Sequence, residues 1–174
     1  MKKHRILLSA TLALLAGLLI GAPAAAREQV TRFTGTEITC VEGPPESQWV
    51  SNNVLHIRNQ VITTRVSTTD PRTTGTNTII LNFNLDLGRG TGQLFGSYHL
   101  QPDRVDGAWN GHFNGHFRDF VNFVHAAGRG TGELAGLQER VDIQGTDLPS
   151  DNPCPAGAPT AASILTGRIL EPNQ

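Results

Sequence analysis

Apolar and polar residues alternate along much of this chain with a period of two. From Thr78 to Leu87, Ile79, Leu81, Phe83, Leu85 and Leu87 share one parity. Thr78, Asn82, Asn84 and Asp86 share the other, with Ile80 the exception. That is the pattern of a strand with one buried face. Trp109, Gly111, Phe113, Gly115 and Phe117 repeat it against Asn110, His112, Asn114 and His116. Burying an aromatic ring gains roughly 1.5–3 kcal/mol from area alone, and burying an unpaired polar group costs as much or more. The alternation therefore predicts Trp109, Phe113 and Phe117 inside, and His112 and His116 facing solvent or a partner chain. A one-residue slip would invert every side chain.

Turn signals punctuate these runs at short intervals. Asp70-Pro71-Arg72-Thr73-Thr74-Gly75 separates a strand near Val61–Ser67 from the one at Thr78. Gly88-Arg89-Gly90-Thr91-Gly92 leads to Gln93–Leu100, and Gln101-Pro102-Asp103 leads to the Trp109 strand. Arg118-Asp119 turns into Phe120–Ala126, and Gly128-Arg129-Gly130-Thr131-Gly132 leads to Glu133–Ile143. Further strands are expected at Phe33–Val41, Val54–Arg58 and Ile164–Leu170. The two glycine-rich segments, 40 residues apart, read as one hairpin solution used twice. Glu42–Asn53, which contains Trp49, and Gly145–Ala161 read as loops. Eight or nine antiparallel strands without helix predict an all-β sandwich or barrel, and that count is enough to close a barrel and remove exposed edges.

The first residues add a targeting signal. Lys2, Lys3 and Arg5 precede an apolar run from Ile6 to Ile20, and Ala24-Ala25-Ala26 follows. A basic start, a short apolar core and an Ala-x-Ala end predict a signal peptide over residues 1–26. The run is too short for a spanning helix, which needs about 20 apolar residues, and no later segment is apolar enough to span a bilayer. The remaining 148 residues form one expected domain, exported to the periplasm or beyond. They hold no lysine, 11 arginines and 15 acidic residues, a net charge of −4. This balance does not favour nucleic acid as a partner, and the missing lysine rules out a Schiff base or P-loop chemistry. Cys40 and Cys154 are either a disulfide, which export favours, or two separate thiols.

Candidate chemistry is sparse. The glycine-rich segments open strands, so they do not match a dinucleotide fingerprint. His112 and His116, four residues apart on a strand, lie about 13 Å apart and cannot share one metal ion without a bend; no metal site or cofactor is expected. No G-x-S-x-G elbow is present. Glu37 shares parity with Phe33, Gly35, Thr39 and Val41. If that face points inward, Glu37 is a carboxyl in an apolar lumen with a raised pKa, able to act as acid or base, with Arg65 a possible partner. Otherwise it sits at the rim or points outward.

Three segments carry a resemblance. They are Asp70-Pro71-Arg72 with Gly75-Thr76-Asn77, Gly107-Ala108-Trp109-Asn110-Gly111, and Gly128-Arg129-Gly130-Thr131-Gly132-Glu133-Leu134-Ala135-Gly136-Leu137. With these the chain resembles small exported bacterial proteins with an allene oxide cyclase-like barrel domain, in the superfamily that includes plant dirigent proteins. The resemblance implies an eight-stranded antiparallel barrel with an apolar interior. It also implies cofactor-free work on reactive hydrophobic small molecules, and assembly as homo-oligomers. Three functions follow as expectations. The barrel binds a small hydrophobic ligand, lined by Phe83, Trp109, Phe113 and Phe117; it is a cofactor-free cyclase, isomerase or coupling protein; or it is packed solid and serves protein contacts.

Overall fold

A computed structural model describes residues 29–40, 43–148, 154 and 160–172. The expected signal peptide lies outside these residues. Nine antiparallel strands follow one another: β1 (Gln29–Cys40), β2 (Ser47–Ser51), β3 (Val54–Thr68), β4 (Gly75–Asp86), β5 (Thr91–Pro102), β6 (Trp109–Arg118), β7 (Val121–Gly130), β8 (Gln138–Thr146) and β9 (Thr160–Glu171). The sheet order is β1-β9-β8-β7-β6-β5-β4-β3-β2, and an added pairing of β1 with β3 closes eight strands into a barrel. β2 is the ninth strand, outside the closure. No helix among the described residues is long and apolar enough to cross a membrane.

The long strand β3 makes the closure possible. Its second half, from Thr63 to Thr68, pairs with Gly35–Cys40 of β1. Its first half, Val54–Arg58, pairs with β2, which takes over where β1 has ended. Between the halves the register against β4 jumps from Ile57 to Gln60, and Asn59 adopts a positive φ of 50°. This bulge bends the strand and switches which parity points inward. Ile57 is buried before it; Gln60, Ile62, Thr64 and Val66 are buried after it. The two separate strands expected over 54–67 are thus one bulged strand.

Three other expectations change. Trp49 lies in strand β2, exposed and stacked on His56 at 4.7 Å with the Arg58 guanidinium over its ring. β8 starts at Gln138 because Gly132–Leu134 form a 3₁₀ turn that buries Leu134. The two glycine-rich segments are not one hairpin used twice. In the first, Gly90 takes the left-handed conformation in the β4–β5 turn. In the second, Gly128 and Gly130 belong to β7 and Gly132 is left-handed.

One end of the barrel is sealed. Trp109 is fully buried there among Phe33, Leu100, Leu134, Leu165 and Ile169. Its indole nitrogen donates to the Arg72 carbonyl at 2.7 Å. Arg72 belongs to the 3₁₀ turn Pro71–Thr73 between β3 and β4, and its guanidinium pairs with Asp70 and with Glu171 of β9, each at 2.8 Å. The Trp109 ring therefore plugs the end and pins the connector that crosses it. Far from this plug, Cys40 at the end of β1 forms a disulfide with Cys154, which fits an oxidising compartment. Replacing Trp109 by Ala should lower unfolding free energy by about 3–5 kcal/mol, read from urea denaturation. A loss below about 1 kcal/mol would show that this end is not a packed plug.

Candidate functional site

The strand alternation decides what enters the lumen. On β6, Trp109, Phe113 and Phe117 point inward, and His112 and His116 are exposed on the outer face. The interior above the Trp109 plug is not filled. A cavity of about 310 Å³ runs through it, with walls that include Ile62, Leu94, Leu100, Phe113, Phe117, Val124 and Leu165. It extends to the exposed residues Phe120 and Ala161 at the end opposite the plug. Trp109 seals the floor without lining the cavity. Phe83 packs edge-on against Phe117, ring centres 5.6 Å apart, and also stands outside the lining.

The rings leave this space because they lie along the wall. Tyr98 on β5 faces Gly111 on β6, which faces Gly128 on β7, which faces Glu139 on β8. A Cβ at Gly111 would stand 2.4 Å from the Tyr98 ring, and one at Gly128 would stand 2.2 Å from its hydroxyl oxygen. The tyrosine therefore lies across two glycines and donates its hydroxyl proton to Glu139 Oε1 at 2.7 Å. Phe113 lies over Gly96 and Phe33 over Gly167 in the same manner.

Two polar stations interrupt the apolar wall. The first is Glu37, buried and facing inward. Its Oε1 accepts the Thr64 hydroxyl at 2.5 Å and the Asn77 amide at 3.3 Å. Burial pushes the Glu37 pKa up, and these two donors offset the rise only in part. Asn77 Oδ1 is buried without a hydrogen-bond partner among the described residues. Arg65 is not the partner of Glu37: it points outward and pairs with Asp103. The parity that holds Val61, Thr63 and Arg65 faces solvent after the Asn59 bulge, and Thr64 from the other face meets Glu37 instead.

The second station, Glu139 with Tyr98, escaped the sequence reading. Glu139 is 2 % exposed. Burial raises its pKa to about 7, against the pull of the Tyr98 hydrogen bond. Burial and the adjacent Glu139 also raise the Tyr98 pKa, so its phenol stays protonated. A carboxyl that titrates near neutral pH can give or take a proton, beside a phenol that stays protonated and donates it a hydrogen bond. The signal was present, since Glu139 shares parity with Val141 and Ile143. Among the described residues no arginine or histidine lines the cavity, and no three His, Cys, Asp or Glu side chains converge as metal ligands.

At the open end a two-residue turn forms the lip. Asp119 and Phe120 both have positive φ, 51° and 65°, a conformation uncommon for a bulky residue. The Phe120 amide donates to the Gly90 carbonyl at 2.9 Å, and its ring packs where Gly90 lacks a Cβ. The lip is thereby tied to the β4–β5 turn, with 59 % of Phe120 exposed at the mouth. No family model matches this chain, nor does any curated protein or solved structure.

The Glu139 environment predicts a pH dependence of stability. The folded protein holds this proton up to about pH 7 and the unfolded chain only to about 4.5. The contribution is therefore full below pH 4.5, declines as pH rises to 7 and is flat beyond. Its size is about 3 kcal/mol. Glu139→Gln cannot ionise, so its unfolding free energy relative to the unaltered protein should rise by about 2–3 kcal/mol between pH 5 and 8. Urea denaturation at both pH values checks this, and a constant difference would refute it.

Proposed function

We propose that this is an exported barrel that binds one small, largely hydrophobic molecule in its lumen. Export rests on the basic and apolar N-terminal sequence with its Ala-x-Ala end, supported by the disulfide. Binding rests on one observation: a cavity of about 310 Å³ with apolar walls and two buried polar stations, reaching the surface at one end. Its size lies at the lower limit of small-molecule sites, and a few convergent polar groups on an apolar wall are what such sites use to orient a ligand. The ligand's apolar body lies against Phe113, Phe117 and Leu94, and its polar atoms meet Glu37 with Asn77, or Glu139 with Tyr98.

A second reading is favoured by the Glu139–Tyr98 pair. A carboxyl near its midpoint at neutral pH, beside a protonated phenol, is equipped for cofactor-free proton transfer in an isomerisation or cyclisation. This is the chemistry that the resemblance to cyclase-like barrels implies. The two readings separate at turnover: an isomerase converts its ligand and loses that conversion in Glu139→Gln, whereas a binder returns its ligand unchanged in both forms.

The uncharged fluorophore N-phenyl-1-naphthylamine tests the lumen. Its emission should rise and shift to the blue on mixing with the mature protein. Ala126 lines the cavity opposite Phe113, and Ala126→Leu should weaken binding about tenfold or more while circular dichroism stays unchanged. Absence of binding to the unaltered protein, or equal binding by a folded Ala126→Leu, would refute the proposal.

A further inference from the structure

Outside the lumen, the closure of the barrel assembles a row of positive charge from distant parts of the chain. Arg32 on β1 stands directly opposite Arg168 on β9, and Arg168 directly opposite Arg140 on β8. The row continues through Ala127 on β7 to His112 on β6. All three arginines are exposed on the outer face, since their neighbours Phe33, Ile169 and Glu139 are buried inside. Neighbouring strands are about 4.8 Å apart, so three guanidinium groups spring from adjacent anchor points.

None of the three has a hydrogen bond or ion pair among the described residues, whereas Arg65, Arg72 and Arg89 each have a carboxylate partner. On the outer face of β8 the nearest carboxylate is Asp142, which also lines the recess and is paired with His125 at 2.5 Å. Like charges directly opposite one another on a sheet are destabilising, so the row carries a cost that no ion pair to these three arginines relieves among the described residues. It also borders a concavity of about 830 Å³ on the outer face, where His112 and His125 form the other wall and the small Ala127 lies between. Guanidinium forks match the oxygens of phosphate and sulfate in bidentate fashion.

We propose that this recess binds a compact oxyanion carrying at least two phosphate or sulfate groups, each shared between neighbouring arginines of the row. The site is independent of the lumen and of the function proposed for it. Polar Thr34, Thr166 and Asn114 lie beside the row, and three strands span only the width of a small ligand, which favours a soluble anion over a membrane surface. The mature chain is net negative, so general electrostatics would repel such a ligand.

Isothermal titration of the mature protein with sodium tripolyphosphate, at low and at 0.3 M salt, tests this. Orthophosphate and vesicles of phosphatidylglycerol with phosphatidylcholine are the comparison arms. Tripolyphosphate should bind at least tenfold more tightly than orthophosphate, and more weakly at the higher salt. Arg168→Gln, at the centre of the row and exposed, should weaken binding tenfold or more and abolish the rise in melting temperature that tripolyphosphate produces. Arg118→Gln, which removes the same charge at the other end of β6, should change binding less than twofold. No tripolyphosphate binding, equal losses in the two variants, equal affinity for orthophosphate, or binding to the vesicles alone would each overturn the proposal.

Discussion

The pairing of β1 with the second half of β3 is the contact on which the rest depends. It turns a sheet into a tube, and only a tube has a lumen to line. The seam also creates the first polar station, because Glu37 comes from one side of it and Thr64 from the other. The closure requires β3 to serve two partners in succession, and the bulge at Asn59 is where it changes hands. Were the same sequence to run through this point as a regular strand, the parity that buries Ile57 would carry Val61 and Arg65 inward and leave Ile62 and Val66 in water.

A closed eight-stranded barrel is narrow, and its interior side chains normally fill it. Here three aromatic rings are turned flat against the wall by glycines on the facing strands. Phe33 rests on Gly167, Phe113 on Gly96, and Tyr98 on both Gly111 and Gly128. Each ring keeps its contact area with the sheet and gives back the centre of the barrel. The same packing delivers the Tyr98 hydroxyl across two strands to Glu139, so cavity and polar station have one cause. Near the other end, Trp109 is fully buried among Phe33, Leu100, Leu134, Leu165 and Ile169, and the barrel is packed.

Much of this was legible in the residues. Period-two runs marked the strands, and the β6 register followed from three aromatics against His and Asn. What stayed hidden had definable causes. β2 shows no alternation because all five of its residues are exposed. β3 could not be oriented because Val61 and Ile62 offer apolar side chains to both faces and Asn59 resets the parity. Arg65 looked like a partner for Glu37 only under the wrong orientation. Glu139 and Tyr98 carried a readable parity signal, but their meeting depends on two glycines from two further strands. The arginine row is beyond any local reading, since residues 32, 140 and 168 become neighbours only through the β1–β9–β8 register.

Among the described residues the lumen reaches the surface at one end. With Trp109, Leu134 and Ile169 packed at the far end, a guest held in the lumen as proposed would enter and leave past Phe120. A molecule longer than the lumen is deep would keep its trailing end in the mouth, beside the Asp119–Phe120 lip and the disulfide-held Cys154. Selection by such a lumen acts on the leading end of a guest. Any release of such a guest would take place at the open rim, because nothing can be pushed through from behind.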